Sequence, residues 1–367
     1  MKTGALIAAL LASALAARAE AQNCAGTSTG RVPLTDLGAG TYQGFAGGLY
    51  PAGSNVRPAA HESAGLSIAA QITPVNASGA PDAANGTIGF ASLGMSNTTQ
   101  EFSAFLPLAA ADQALNSKVV FVDGAQGGMA AEQWQDPANA CWTTFASRLA
   151  SAGVAPAQLQ VAWVKLTARA PNLTPSFPAG AQEQQAWIRQ SVLNLKSKYP
   201  SVRIVYLSSR IYAGYANVSL NPEPVAYENG FSVKGLIEAQ INGDPGLAYA
   251  EASPPAPWLS WGPYLWADGL GADNVVGGTP GRSDGLEWRC ADLSGDGTHP
   301  STQGRQKVAQ LLLAWLKADS TSMSWVLANP TLGGTAPSGD GGSDCGLIGL
   351  EGIVLAIVVR FLGRIRA

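Results

Sequence analysis

What most limits how this chain can fold is an alternation of short apolar runs with longer amphipathic ones between residues 87 and 317. The runs at 87–93, 119–122, 159–164 and 202–207 are apolar almost throughout rather than at every second position. That pattern belongs to strands covered on both faces. Between them, 136–152 places Trp142, Phe145 and Leu149 on one helical face. The segment 182–198 does the same with Trp187, Ile188, Val192 and Leu195 before Tyr199-Pro200 stops it, and 302–317 with Val308, Leu311, Leu312 and Trp315. A shorter helix is expected over 233–241 within an irregular stretch. Strands and helices alternating at these lengths predict a mostly parallel sheet between two helical layers, a three-layer α/β/α domain. In such sheets the ligand sits beyond the carboxyl ends of the strands.

The flanks have a different character. Lys2, an apolar stretch over 5–16 and the small-x-small runs Ala17-Arg-Ala19 and Ala19-Glu-Ala21 read as a secretory signal peptide over 1–21. Residues 22–84 are rich in Gly, Ala, Ser and Pro and read as a loose N-terminal arm with short strands. The main domain is expected over 85–329, with an ordered insertion at about 210–290 where the alternation breaks. A Gly/Ser/Thr/Pro/Asp linker follows at 330–344, then Cys345, an apolar run and a basic end with Arg360, Arg364 and Arg366. The arginines would stay cytoplasmic, so 345–367 reads as a membrane anchor. An exported protein at the cell envelope or surface meets an oxidising compartment. Cys141 and Cys290 are the candidate disulfide pair within the body, leaving Cys24 over. No Cys-x-x-Cys spacing points to zinc, and no metal is expected. Charged residues are 13% of the chain, the net charge is −3, and the body has no Lys/Arg run, which argues against a nucleic-acid partner.

Only two histidines are present, His61 and His299. His61 lies in the arm. His299 closes the run Asp296-Gly-Thr-His-Pro300 just before the last predicted helix. A turn of that length brings the carboxylate onto the imidazole, where it fixes the tautomer and stabilises the imidazolium of a catalytic base.

The run Asp296-Gly-Thr-His299-Pro300 resembles the last conserved block of the SGNH (GDSL-like) hydrolases, Asp-x-x-His with a frequent following proline. The resemblance extends in block order over about 90–316. It implies a flavodoxin-like SGNH fold, a carboxylic ester hydrolase activity and no cofactor. The family's nucleophile follows the first strand in Gly-Asp-Ser, which falls here on Gly94-Met-Ser96, so Ser96 is the implied nucleophile with Ser92 and Ser208 as fallbacks. The family's oxyanion glycine follows the second strand and falls on Gly127, with Gly128 the alternative. The Ser96 amide is the companion donor. The family's Gly-x-Asn after the third strand is replaced by Trp163-Val-Lys165, making Lys165 the nearest substitute donor, and Met95 replaces the usual aspartate. Arg210 and Tyr212, at the end of the fourth strand, are candidate substrate contacts; an arginine there would otherwise pair with Glu223, Asp268 or Asp284.

The implied substrate is an acylated carbohydrate or a short-chain acyl ester, with Trp261 and Trp266 as further contacts. The C-terminal segment around Cys345 is similar to CTERM sorting signals of the JDVT type. That similarity implies a signal peptidase and a C-terminal sorting protease as processing partners, and release from the membrane as one outcome. Two rival readings remain. One is a non-catalytic carbohydrate-binding protein on the same scaffold, with Trp258, Trp261 and Trp266 stacking on sugars. The other is a calcium loop of EF-hand type over 292–303, weakened by Gln303 where an acid should stand.

Overall fold

In the computed structural model, residues 22–170 and 175–330 are described. The expected signal peptide, the linker beyond Pro330 and the C-terminal segment with Cys345 lie outside them. Among the described residues no helix is long and apolar enough to cross a membrane.

The arm begins with a one-turn helix α1 (Leu34–Leu37), a small hairpin of β1 (Thr41–Tyr42) and β2 (Phe45–Ala46), and helix α2 (Ala59–Ala69). The main alternation then runs β3 (Ile88–Gly94), α3 (Ser96–Ala111), β4 (Val119–Asp123), α4 (Ala131–Trp134), α5 (Cys141–Ser151), β5 (Leu159–Lys165), α6 (Ala179–Lys198) and β6 (Ile204–Leu207). It continues with α7 (Val225–Ile241), β7 (Trp258–Trp261), α8 (Thr302–Ala318) and α9 (Ser320–Val326).

Strands β3 to β7 form one five-stranded sheet in the order β4-β3-β5-β6-β7, parallel throughout. Every residue of β3, β5, β6 and β7 is buried, as a sheet covered on both faces requires. Helix α3 packs beside α8, and α2 beside α9, in one layer; α6 packs beside both α4 and α7 in the other. The result is the three-layer α/β fold expected from the periodicity. The chain goes from β3 to β4 on one side and returns to β5 on the other, so a crevice opens beyond the carboxyl ends of β3 and β5.

Two expectations about organisation change. The segment over 210–290 is not an insertion outside the sheet, because it supplies α7 and the edge strand β7. Nor is the arm loose. Leu34 is fully buried, and the Asp268 carboxylate accepts hydrogen bonds from Ser28, Thr29 and Gly30. His61 stacks on Trp258 with ring centroids 4.8 Å apart, and its Nε2 bonds the Leu259 carbonyl at 2.8 Å. Burial lowers the His61 pKa, more strongly than that hydrogen bond raises it.

The disulfide also differs from expectation. Cys24 pairs with Cys290 across 5.3 Å between Cα atoms, and Cys141 is free and buried. The first described residues run back along the body, where Asn23 bonds the Tyr215 carbonyl, and this brings Cys24 to Cys290. Cys141 opens α5, and burial pushes its thiol up to about 11.

Candidate active site

Strand β3 ends at Gly94, and α3 starts two residues later at Ser96. The turn is tight because Gly94 has no side chain: a Cβ there would lie 2.3 Å from Thr98 Oγ1 and 2.5 Å from the Lys165 carbonyl. Thr98 uses that closeness, donating its hydroxyl to the Lys165 carbonyl at 2.8 Å and tying the first turn of α3 to the end of β5. Ser96 therefore stands at the amino end of a sixteen-residue helix, where free N–H groups and the helix dipole favour developing negative charge.

The other side of the site is a loop before α8. Gly297 adopts a left-handed φ of +66° and packs so closely that a Cβ would lie 1.9 Å from the Tyr215 carbonyl. Within that turn Asp296 Oδ1 accepts the backbone N–H groups of Thr298 (3.1 Å) and His299 (3.0 Å), while Oδ2 lies 2.5 Å from His299 Nδ1. With Nδ1 protonated and donating to the carboxylate, Nε2 is left to accept the Ser96 hydroxyl, 2.8 Å away. Burial works to raise the Asp296 pKa. The hydrogen bonds from the His299 ring and from the two backbone amides outweigh it and hold the carboxyl below its usual range.

Asn97, which the sequence reading does not single out, and Arg210, expected there only as a substrate contact, lock the two halves together. Asn97, next to Ser96 on α3, donates Nδ2 to the Thr298 carbonyl at 2.9 Å. Arg210 donates Nη2 to Thr298 Oγ1 at 2.7 Å. Thr298, which precedes His299, is thus gripped from α3 and from the end of β6. Sequence offers one signal for Asn97, its place in the first turn after Ser96; the contacts across 201 and 88 positions have none.

The Ser96–His299 pair opens into a cleft of about 230 Å³ lined by Met95, Gly128, Arg169 and Asn221 among others. Of the two glycines considered for an oxyanion donor, the structure brings the second to the cleft. Gly128, with φ +79°, lines the cleft, while Gly127 does not. Lys165 is not an oxyanion donor. Its ammonium is buried and bonds both oxygens of the buried Glu101 carboxylate at 2.6 Å. Burial pushes Lys165 down to about 8, against the attraction of Glu101, and burial likewise raises Glu101. Lys165 ends β5, but its side chain faces α3 rather than the cleft.

Of the expected substrate contacts, Arg210 lines the cleft and pairs with none of the three carboxylates considered for it. Glu223 accepts the amides of Ala213 and Tyr227 and the Trp266 indole, Asp268 holds the arm, and Asp284 pairs with Arg282. Tyr212 is fully buried and donates its hydroxyl to the Gly26 carbonyl at 2.7 Å, so it cannot touch substrate in the cleft. Trp261 and Trp266 are core residues, 2% and 0% exposed, with their indoles bonded to Leu49 and Glu223. The calcium reading also fails on its ligands: Asp292 pairs with Lys307 and Asp296 with His299. Among the described residues no group of three or more His, Cys, Asp or Glu side chains is arranged to hold a metal.

No family model matches the chain, and no curated protein matches it. Among solved structures it is similar to a protein of Bacteroides fragilis NCTC 9343 described as a "putative acylhydrolase". That similarity has 11% identity and a TM-score of 0.35, over 71% of this chain and 96% of the other. At that level the likeness bears on neither activity nor residue roles.

Proposed function

We propose that this chain is a serine hydrolase that cleaves small carboxylic esters. The observation that carries the proposal is the unbroken relay from Ser96 Oγ to His299 Nε2 at 2.8 Å and from His299 Nδ1 to Asp296 Oδ2 at 2.5 Å, at the mouth of a cleft. Ser96 Oγ attacks the ester carbonyl carbon as His299 Nε2 takes the hydroxyl proton. The Ser96 and Gly128 N–H groups, at the start of a helix and on a left-handed glycine, are the donors suited to the oxyanion. Collapse breaks the bond to the alcohol oxygen, which leaves with the proton from Nε2. Water then attacks the acyl-serine, giving its proton to His299; the acyl carbon–Oγ bond breaks, His299 returns the proton to Ser96 Oγ, and the acid departs. Asp296 stays ionised and keeps the imidazole in the working tautomer. With Lys165 engaged by Glu101, the site has one donor fewer than the family it resembles, a loss that typically costs about a hundred- to a thousandfold in rate.

The carbohydrate-binding alternative loses its tryptophan platform, because Trp258, Trp261 and Trp266 lie in the core, and keeps only the altered Met95 and Lys165 positions. The Cys24–Cys290 disulfide supports a reading in which the enzyme is exported and works outside the cytoplasm. The test is hydrolysis of p-nitrophenyl acetate. The Ser96→Ala protein should be slower than wild type by roughly a thousandfold or more. Equal background release of nitrophenol by both proteins would end the hydrolase reading.

A further inference from the structure

The cleft beside Ser96 carries an unusual balance of charge. Arg169 and Arg210 both line it, and among the described residues no Asp or Glu does. The two arginines differ in what they are free to do. Arg210 is buried and already donates to Thr298, with Glu101, Glu223 and Asp296 behind it moderating its charge. Arg169 is exposed at the cleft wall. Its backbone N–H is given to Glu132 Oε1 at 2.9 Å, and its carbonyl accepts Asn221 Nδ2 at 3.2 Å. Both contacts fix the main chain and leave the guanidinium unpaired among the described residues. Asn221 holds this bridge from a left-handed backbone, φ +56°, and also donates to the Ala168 carbonyl. A residue in a strained conformation thus secures the loop that presents Arg169.

We infer that Arg169 forms an anion subsite and that the preferred substrate is a carboxylate-bearing ester, such as the monoester of a short dicarboxylic acid. This deepens the serine-hydrolase reading and rests on it for the position of the scissile bond. The planar fork of a guanidinium matches a carboxylate through two parallel hydrogen bonds. One exposed guanidinium matches one monoanionic group; Arg210 beside it is buried, with Nη2 given to Thr298 and Nε without a partner. A cleft of about 230 Å³ suits an acyl chain of a few carbons between Ser96 and Arg169. The carboxylate of such a substrate would meet no lining carboxylate to repel it.

The test separates binding from turnover. In full-length protein with Ser96→Ala, affinity for methyl hydrogen succinate is compared with that for dimethyl succinate by calorimetry. The monoester should bind about ten- to a hundredfold more tightly, as charge-assisted pairing implies. That ratio should collapse to near one on Arg169→Ala, invert on Arg169→Glu, and shrink with added salt because Arg169 is exposed. A ratio near one in the parent protein, or one unchanged by both Arg169 substitutions, overturns the inference. If the ratio behaves as expected while protein with Ser96 intact hydrolyses neither p-nitrophenyl acetate nor mono-4-nitrophenyl succinate, the hydrolase reading falls and the anion subsite stands.

Discussion

Asp296 does two jobs with its two oxygens: one orders the turn through backbone amides, and the other orients the His299 ring. The Asp296→Asn variant should keep the turn and lose the tautomer control, lowering kcat for ester hydrolysis by about ten-thousandfold. It should also change stability against acid. The folded pKa of Asp296 lies below its unfolded value of about 3.9, so its stabilisation is complete above that pH and is lost as pH falls through the folded value. The difference in urea midpoint between wild type and Asp296→Asn should therefore narrow between pH 6 and pH 2.5; a constant or widening difference would contradict this role. At this scale the site was partly legible. Asp296 and His299 are close in sequence, so their spacing alone predicts their contact. Arg169 and Asn221 were not legible, because a loop after β5 and a loop after β6 meet only once the sheet has formed. Lys165 misled because a strand end fixes a position but not the layer its side chain enters.

At the scale of elements, the β3–α3 turn and the loop before α8 must be held at one separation. Glycines set both, Gly94 by close approach and Gly297 by its left-handed φ. Gly297→Ala should lower unfolding free energy by about 1–3 kcal/mol through backbone strain and crowding against Tyr215. It should also reduce ester turnover while leaving far-UV circular dichroism unchanged; wild-type stability and turnover would show that the turn tolerates a side chain. Strands β3, β5 and β6 were legible as continuous apolar runs. Strand β7 was not: its four residues Trp258–Trp261 sit between Pro254, Pro255 and Pro257 on one side and Gly262-Pro263 on the other, and the breakers outweigh so short a run. Helix α3 was also unread, since it begins without a side-chain cap and carries Pro107.

For the whole molecule, the arm and the segment over 210–290 complete the body. Composition suggested looseness in the arm because Gly, Ala, Ser and Pro leave few large side chains to mark a core. The ordering comes instead from particular contacts: Leu34 under α7, Asp268 on residues 28–30, His61 on Trp258 and Cys24 on Cys290. Eight tryptophans are buried, Trp134, Trp142, Trp163, Trp258, Trp261, Trp266, Trp288 and Trp325, so they serve packing rather than sugar binding. Among the openings this architecture leaves, the cleft at the sheet crevice is the one with Ser96 at its mouth. The most direct measurement of that claim is covalent labelling of the full-length protein with a fluorophosphonate, read by peptide mass spectrometry. A single adduct on Ser96, lost in His299→Ala, is the predicted result. No adduct at Ser96, or labelling at Ser92 or Ser208 instead, would contradict the assignment of Ser96 and His299 as nucleophile and base.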